Sequence, residues 1–437
     1  MSNTRLSPFI YEEILLESER LQTPVDIKNV VTDFDIFENM NKPYLTATFI
    51  LVDNSAIIEN VDILGGETVT IRLKSLKNDD TRVITKKFYV SKIIKSTRVN
   101  NATEVDVIHL VEDTAFISNL NNINKYYNGR TSDIIGKIIQ QYFSKSLTVD
   151  AEDINAIKVI VPNLTPIETI NWLLKRTNTG SGFPVYAYAS FVDKNINFSD
   201  LGTLLSRTSI NSKDPYIYST ATPNTTLEKG RSRVIKNYQF GVTENLSELI
   251  AKGYVGAEYS HIDTIKNKTN SYQFDIVNDL FSKINQEQVI NPRNQKFMFS
   301  EDFKVDDKSF NKFASRTITR VAGSNAFDDD LSYDETSSQG NYKLKTTARA
   351  MDALVKKSPL QIVVEGDDFI DGDRSYTVGN NIDILFHKAD QDLTEAGQDI
   401  DHKRSGKYLI YSSRHMFKKE RYDLSLTCVK IANNDIR

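Results

Sequence analysis

One cysteine, Cys428, in 437 residues excludes an intrachain disulfide, and with only five scattered histidines it also puts a Cys-based zinc site out of reach. Stability must therefore come from packing and assembly. No stretch approaches the roughly 18 consecutive apolar residues that a membrane-crossing helix needs. A signal-peptide core is missing too, because Ile10-Tyr11 runs at once into Glu12-Glu13. The chain is therefore expected to remain in the cytoplasm where it is made unless it leaves as part of a particle. Polybasic runs are absent: 54 Lys and Arg are spread along the chain against 58 Asp and Glu, for a net charge of -4. A surface that grips nucleic acid through its phosphates is not expected.

Catalytic signatures are equally scarce. There is no Gly-x-Ser-x-Gly elbow and no Cys-His pattern, and no pair among His109, His261, His387, His402 and His415 has metal or triad spacing. His109 and His415 fall on strand patterns and read as packing or surface groups. The run Asp367 to Asp373 resembles a calcium loop, but Phe369 falls where an oxygen ligand is required and Val378 where the bidentate Glu belongs. It reads as an acidic loop between strands. Between Gly129 and Gly136-Lys137 the spacing is too long for a P-loop, and Ile138 replaces the magnesium-binding hydroxyl. Glu17 with Glu19, and Asp390 with Asp392, are the carboxylate pairs a glycosidase would use, yet both lie in turn-like or exposed settings. Trp172 sits on a helix as a core residue. No catalytic residue, cofactor site or metal ligand is expected, and no cofactor.

What the chain does have is strand after strand. From Asp35 to Leu73, Leu45, Ala47, Phe49 and Leu51 alternate with Thr46, Thr48 and Ile50, the period of a strand with one buried face. Asn41-Lys42-Pro43 supplies the turn before it and Asp53-Asn54-Ser55 the stop, with Ser55 capping a short turn through Ile57 and Ile58. Gly65-Gly66 gives the freedom to reverse into Val69, Ile71 and Leu73. Further strands follow through Phe88 to Ile94 and Val105 to Val111, with a hairpin tip at Lys77 to Asp80 and a turn at Asn100-Asn101. This suits a small, strongly bent barrel.

The order Ile36, Glu38, Pro43, the alternating strand, Asp53, Ile57-Ile58 and Gly65-Gly66-Glu67 resembles the baseplate hub proteins of contractile-tailed phages of the T-even type. That hub domain family is shared with contractile injection systems.

Beyond Asn121 the period turns helical. Ile134, Ile135, Ile138, Ile139, Tyr142 and Phe143 share one face, with Thr131 or Ser132 expected as cap. Thr165-Pro166-Ile167-Glu168 is a capping box with Pro at the first helical position, opening a second helix through Ile170, Trp172, Leu173 and Leu174. A hairpin follows, from Val185 through Phe191 and Asp193-Lys194-Asn195 to Ile196 and Phe198. Thr169, Leu173, Leu174 and Gly182-Phe183-Pro184 extend the resemblance to hub proteins. Thr203 to about Arg233 reads as a connection over other domains, and Val234 to Gly256 as a strand pair with Tyr238, Phe240, Leu249, Ala251 and Tyr254 facing a core. His261 to about Tyr342 is polar, with Asp328 to Asp330 and Ser337 to Gly340 near its end, and reads as an irregular insertion. Lys343 to Lys357 has helical spacing.

A last strand set runs Leu360 to Val364, Ile382 to Phe386 after Thr377 to Asn381, Tyr408 to Phe417 and Tyr422 to Ile431. Its Gly379-x-x-Ile382 return and Gly406-Lys407-Tyr408-Leu409-Ile410 strand are similar to the C-terminal part of hub proteins.

The expected fold is mainly β with α+β. Residues 1–118 would form a first tube-like β-barrel, 119–205 an α+β domain, 206–256 with 343–437 a second barrel, and 257–342 an insertion. The resemblance implies pseudo-repeated barrels, six per homotrimer, in a ring that adapts a threefold spike to a sixfold tail tube and leaves a channel for DNA. Implied partners are other copies, a central spike protein, tail tube or tube-initiator proteins and baseplate wedge proteins in the virion. DNA would pass without specific binding, in keeping with the acidic balance. Hub proteins with their own spike continue into further β repeats, so with an end at Arg437 the spike and any lysozyme are expected on separate chains. Two alternatives are a cell-wall-degrading tail hydrolase and the hub of a bacterial contractile injection system.

Overall fold

The structure, a computed structural model, describes residues 9–54, 61, 63, 65–75, 83–100, 103–151, 153, 156–218, 233–241, 246–263, 267–276, 278–279, 304–322, 339–356, 359–366, 377–387, 400–401, 404–418 and 421–430. The chain begins with β1 (Phe9–Glu17), β2 (Val25–Asp26), β3 (Val31–Asn39), β4 (Thr46–Asp53), β5 (Thr68–Ser75), β6 (Val83–Asn100) and β7 (Thr103–Glu112). In β4 the alternation is as read: Ala47, Phe49 and Leu51 are buried, continuing from Leu45, while Thr46, Thr48 and Ile50 are half-buried. On β7 the inward set is Asp106, Ile108, Leu110 and Glu112. Gly65 and Gly66 reverse the chain at φ +106° and +94°, a region costly for any residue with a Cβ. The Ile57-Ile58 turn and the Lys77 to Asp80 tip lie outside the described residues, as does Asn101.

A helix, Asp113–Asn119, leads into the α+β part, which contains β8 (Tyr126–Arg130), β9 (Leu147–Val149), β10 (Ala156–Ile160), β11 (Val185–Ala189) and β12 (Ile196–Asp200) with helices Thr131–Phe143, Pro166–Leu174 and Leu201–Ser206. The capping box is present: the Glu168 amide donates to Thr165 Oγ1 at 3.3 Å and the Thr165 amide to Glu168 Oε2 at 2.9 Å. The helix at Thr131 corrects the expected cap. Its N-cap residue is Arg130, and Thr131 and Ser132 lie inside the helix; Asp153, 21 residues from Ser132, accepts from the Ser132 amide at 3.0 Å and from Thr131 Oγ1. A carboxylate from a neighbouring loop thus does what a local hydroxyl was expected to do.

The rest of the chain adds β13 (Tyr216–Tyr218), β14 (Asn237–Phe240), β15 (Gly256–Asp263), β16 (Lys268–Asp275), β17 (Lys304–Val305), β18 (Lys308–Ser309), β19 (Thr317–Ala322), β20 (Leu360–Glu365), β21 (Asn381–Phe386), β22 (Gly406–Lys418) and β23 (Arg421–Val429). Two expectations change here. Among the described residues from Val234 to Gly256 there is β14, then a helix at Leu246–Ala251, with β15 beginning at Gly256. Leu249 is buried and adjacent Ile250 half-buried while Ala251 is exposed, a grouping that helical spacing produces and a strand does not. Within the insertion, β16-β15-β19 form a three-stranded sheet with β19 parallel to β15. Its inward set is thin, Ala257, Tyr259 and Phe274, and the exposed Glu258 and Gln273 between them obscure the period. In the connection after Thr203, the first residues are helical and Tyr216–Tyr218 pairs with β21; 219–232 lie outside the described residues. The helix expected from Lys343 begins at Gln339 and ends at Val355.

The chain is mainly β with α+β, as expected. The main sheet holds 13 strands along the path β14-β20-β23-β22-β3-β4-β7-β6-β5-β1-β2, with β21 on β22 and β13 on β21. Among the described residues it closes into no barrel; the β22–β3 ladder, Ser412 opposite Asn39 through Lys418 opposite Asp33, joins the two strand sets that were read as separate barrels. Two hydrophobic cores result, one drawing on residues from Ile14 to Val429 and one confined to Ile123 through Phe198.

Candidate functional site

On β3 the inward positions run Phe34, Ile36, Glu38, then Met40, so period two carries a carboxylate into a row of core side chains. Glu38 is 2% exposed. Such a group is tolerated only if its lone pairs are filled, and they are. The Phe191 amide donates to Oε1, the Val378 amide donates to Oε2 at 3.3 Å, and His415 Nε2 stands 3.3 Å from Oε2. His415 Nδ1 lies 2.7 Å from the Tyr422 hydroxyl and its Nε2 also lies 3.3 Å from Ser413 Oγ, so both ring nitrogens have polar partners. The Phe191 ring packs 4.7 Å from His415 and 6.1 Å from Phe417.

Three stretches of chain therefore meet on one carboxylate: β3, the β11–β12 connection, and the β22 region with the turn before β21. Lys86 adds a second pin. It is 9% exposed and donates to the carbonyls of Asp193 at 2.7 Å and Ser190 at 3.3 Å. Burial lowers its pKa, opposed by Glu112 and Glu38. Lys145 closes the other side at 2.8 Å from Glu112, whose Oε2 accepts from the Leu45 amide at 2.8 Å. Burial alone would lower the Lys145 pKa, but Glu112 and Asp113 raise it. Chemically this cluster is saturated. It is a joint that fixes the α+β part to the main sheet.

The opposite character appears on β6. Its ladder with β5 ends at Tyr89 opposite Thr68, and backbone bonds run from the Gly66 amide to the Val90 carbonyl and from the Val90 amide to the Glu67 carbonyl. Residues 91–100 are all exposed, including Ile93 at 39%, Ile94 at 54% and Val99 at 64%.

The other residues singled out from the sequence are dispersed. His109 is half-buried in a cleft of about 630 Å³ beside Lys42, Tyr44 and Glu168, and burial, then Lys92 and Lys42, lower its pKa. His387 follows β21, His261 lies in β15, and His402, Asp367 to Asp373, Asp390 and Asp392 lie outside the described residues. Gly129 is in β8, whereas Gly136 and Lys137 sit within a helix, so no phosphate-cradling loop joins them. Glu17 accepts from Thr68 Oγ1 at 2.9 Å and Glu19 is exposed. Trp172 is half-buried against the smaller core with the Arg176 guanidinium 3.7 Å over its ring. Among the described residues no group of three or more His, Cys, Asp or Glu side chains is placed to hold a metal, and no helix is long and apolar enough to cross a membrane.

Reading the sequence missed the role of Glu38, His415, Lys86 and Phe191. One signal was there: a Glu in phase with Phe34 and Ile36 on a half-buried strand points inward and requires partners.

No protein-family model and no curated protein matches the chain. Solved structures do match its fold. The tail protein from Neisseria meningitidis MC58 superposes with a TM-score of 0.54 at 11% identity, covering 96% of this chain and 96% of that one. The prophage MuSo2 43 kDa tail protein from Shewanella oneidensis gives 0.51 at 13% identity, covering 98% of this chain and 100% of that one. The likeness at these identities is one of fold.

Proposed function

We propose that the chain is a structural subunit of a contractile phage tail, and within it the baseplate hub. Three copies form a ring in which residues 1–118 and 206–256 with 343–437 act as two like modules, six per ring. A chain with two like modules presents threefold symmetry to a spike and sixfold symmetry to a tube. The partners are other copies, the central spike, tail tube or tube-initiator proteins and wedge proteins, and the central channel passes DNA without specific contacts. The role is not enzymatic.

The fold likeness to two tail proteins over nearly the whole of each chain carries this reading. The far half of β6 supports it, since exposed Ile93, Ile94 and Val99 on one strand are a liability in a lone protein and an asset in an assembly. Negative-stain images of purified protein, with and without a candidate spike chain, test it. Rings with a central hole are expected, and a protein that forms none with the spike yet clears peptidoglycan contradicts it.

A further inference from the structure

On the outer face of the main sheet the β4-β7-β6 ladders set His109 between Thr48 and Lys92, and Val111 between Thr46 and Tyr89. On a regular strand Lys92 would turn inward with Val90. The register shift between Val90 and Lys92 inserts Ser91 as a bulge, so Val90 stays buried while Lys92 turns, exposed, onto the His109 face. The cleft of about 630 Å³ stands on these rungs. Its walls include Phe116 of helix Asp113–Asn119, whose ring stacks on Tyr89 at 4.2 Å, and Ile167 of helix Pro166–Leu174. Lys42 and Tyr44, just ahead of β4, line it as well.

His109 is the polar centre of this floor, and its hydrogen-bonding capacity is unspent. Its Nδ1 is buried without a partner, while Nε2 is accessible and bonds to no described residue. A buried orphan lone pair is tolerated better than a buried orphan N–H, which assigns the proton to Nε2. Burial, then Lys92 and Lys42, lower the pKa of the ring and keep it neutral near neutral pH. Neither lysine pairs with a described carboxylate, and Lys42 Nζ lies 5.8 Å over the Tyr44 ring, a contact that leaves its charge in place. Glu168 is the carboxylate among the described lining residues, and its Oε2 accepts from the Thr165 amide at 2.9 Å and the Thr165 hydroxyl at 3.0 Å. Nearby backbone donors are used up. The Gly65 amide donates to Glu67 Oε2 at 2.9 Å, the Gly66 amide to the Val90 carbonyl at 2.9 Å and the Ile167 amide to Ser118 Oγ at 3.0 Å. A phosphate, which is cradled by successive free amides, finds no such nest in these three. We propose that the cleft binds a small organic acid, its single carboxylate held by Lys42, Lys92 and His109 Nε2 and its apolar body against Val111, Phe116 and Ile167. Two ammonium groups and one N–H match the acceptor sites of one carboxylate, and the volume suits a ligand of this size. The inference goes beyond the structural role proposed above and stands without it.

The test uses the full chain, with phenylacetate titrated by calorimetry as the probe and the uncharged phenylacetamide and inorganic phosphate as controls. Phenylacetate should bind saturably and phenylacetamide about tenfold more weakly, while phosphate should not displace the probe. Lys42→Gln and Lys92→Gln should each weaken phenylacetate by roughly threefold and leave phenylacetamide unchanged. Lys92 is exposed, so its substitution keeps the test decisive where a change at Lys42 disturbs folding. With the histidine rings isotope-labelled, the nuclear magnetic resonance signal that is lost in His109→Gln should be the one that shifts with phenylacetate. The proposal is overturned if phenylacetate fails to saturate up to its solubility limit, if phenylacetamide binds as tightly, which would make the cleft a merely apolar hollow, if phosphate displaces the probe, or if binding survives both lysine substitutions without moving the His109 signal.

Discussion

The inner face of β3 and the outer half of β6 belong to one sheet, yet they solve opposite problems. Along β3 every inward position is covered, and even the ionisable Glu38 is matched by donors from two other stretches of chain. Along β6 beyond Val90 the side chains of residues 91–100 are exposed, and the described ladder with β5 has already ended. The seam is finished by folding; the exposed half of β6 is where the proposed assembly would close. Strand composition alone does not separate the two, because both mix apolar and polar residues. What separates them is whether a distant part of the same chain arrives to pair.

Breaking the seam should have the largest effect. Glu38→Ala strands the Phe191 and Val378 amides and the His415 imidazole in the interior, and the expected loss is about 3–5 kcal/mol of stability by urea unfolding. Glu38→Gln, which keeps the shape and an acceptor, should lose clearly less. A result within error of wild type for Glu38→Ala would mean the seam is not a joint.

A second buried group sharpens the contrast through pH. Burial pushes Lys430 down to about 8 from 10.5, opposed by Asp401, while its Nζ donates to the Ser405 carbonyl at 3.1 Å. The unfolded chain then binds the proton more tightly than the folded one, so stability from this group rises as pH goes from about 8 to about 10.5. Lys430→Met should be more stable than wild type at pH 7, by up to about 3 kcal/mol, and the gap should close by pH 10.5. Thermal melts of the two proteins across that range check the sign.

Smaller effects follow. Thr165→Ala removes one half of the capping box and should cost about 1 kcal/mol. Ile94→Asp, on the exposed side of the comparison, should change the stability of the lone chain by no more than about 0.5 kcal/mol while weakening self-association. If Ile94→Asp unfolds the monomer instead, β6 is covered by its own chain.

Much of the fold was legible because it is local. The β4 alternation, the Gly65-Gly66 reversal, the Thr165 capping box, the β11–β12 hairpin and the last strand set each declare themselves within about ten residues. The seam did not, because Glu38 meets His415 and Val378 across more than 300 positions. Asp153 capping the Thr131 helix is the same lesson at shorter range. The insertion's sheet was hidden for another reason: with Ala257, Tyr259 and Phe274 as its inward set, it buries too little apolar area to write a clear period.

The most direct test of the assembly account is the mass in solution by light scattering, comparing wild type with Ile94→Asp across protein concentration and in the presence of the spike chain. The account predicts wild-type particles at three times the 49.7 kDa chain mass and a folded Ile94→Asp chain shifted toward monomer. A wild-type protein that stays monomeric with the spike present, or an Ile94→Asp variant that assembles as well as wild type, would contradict it.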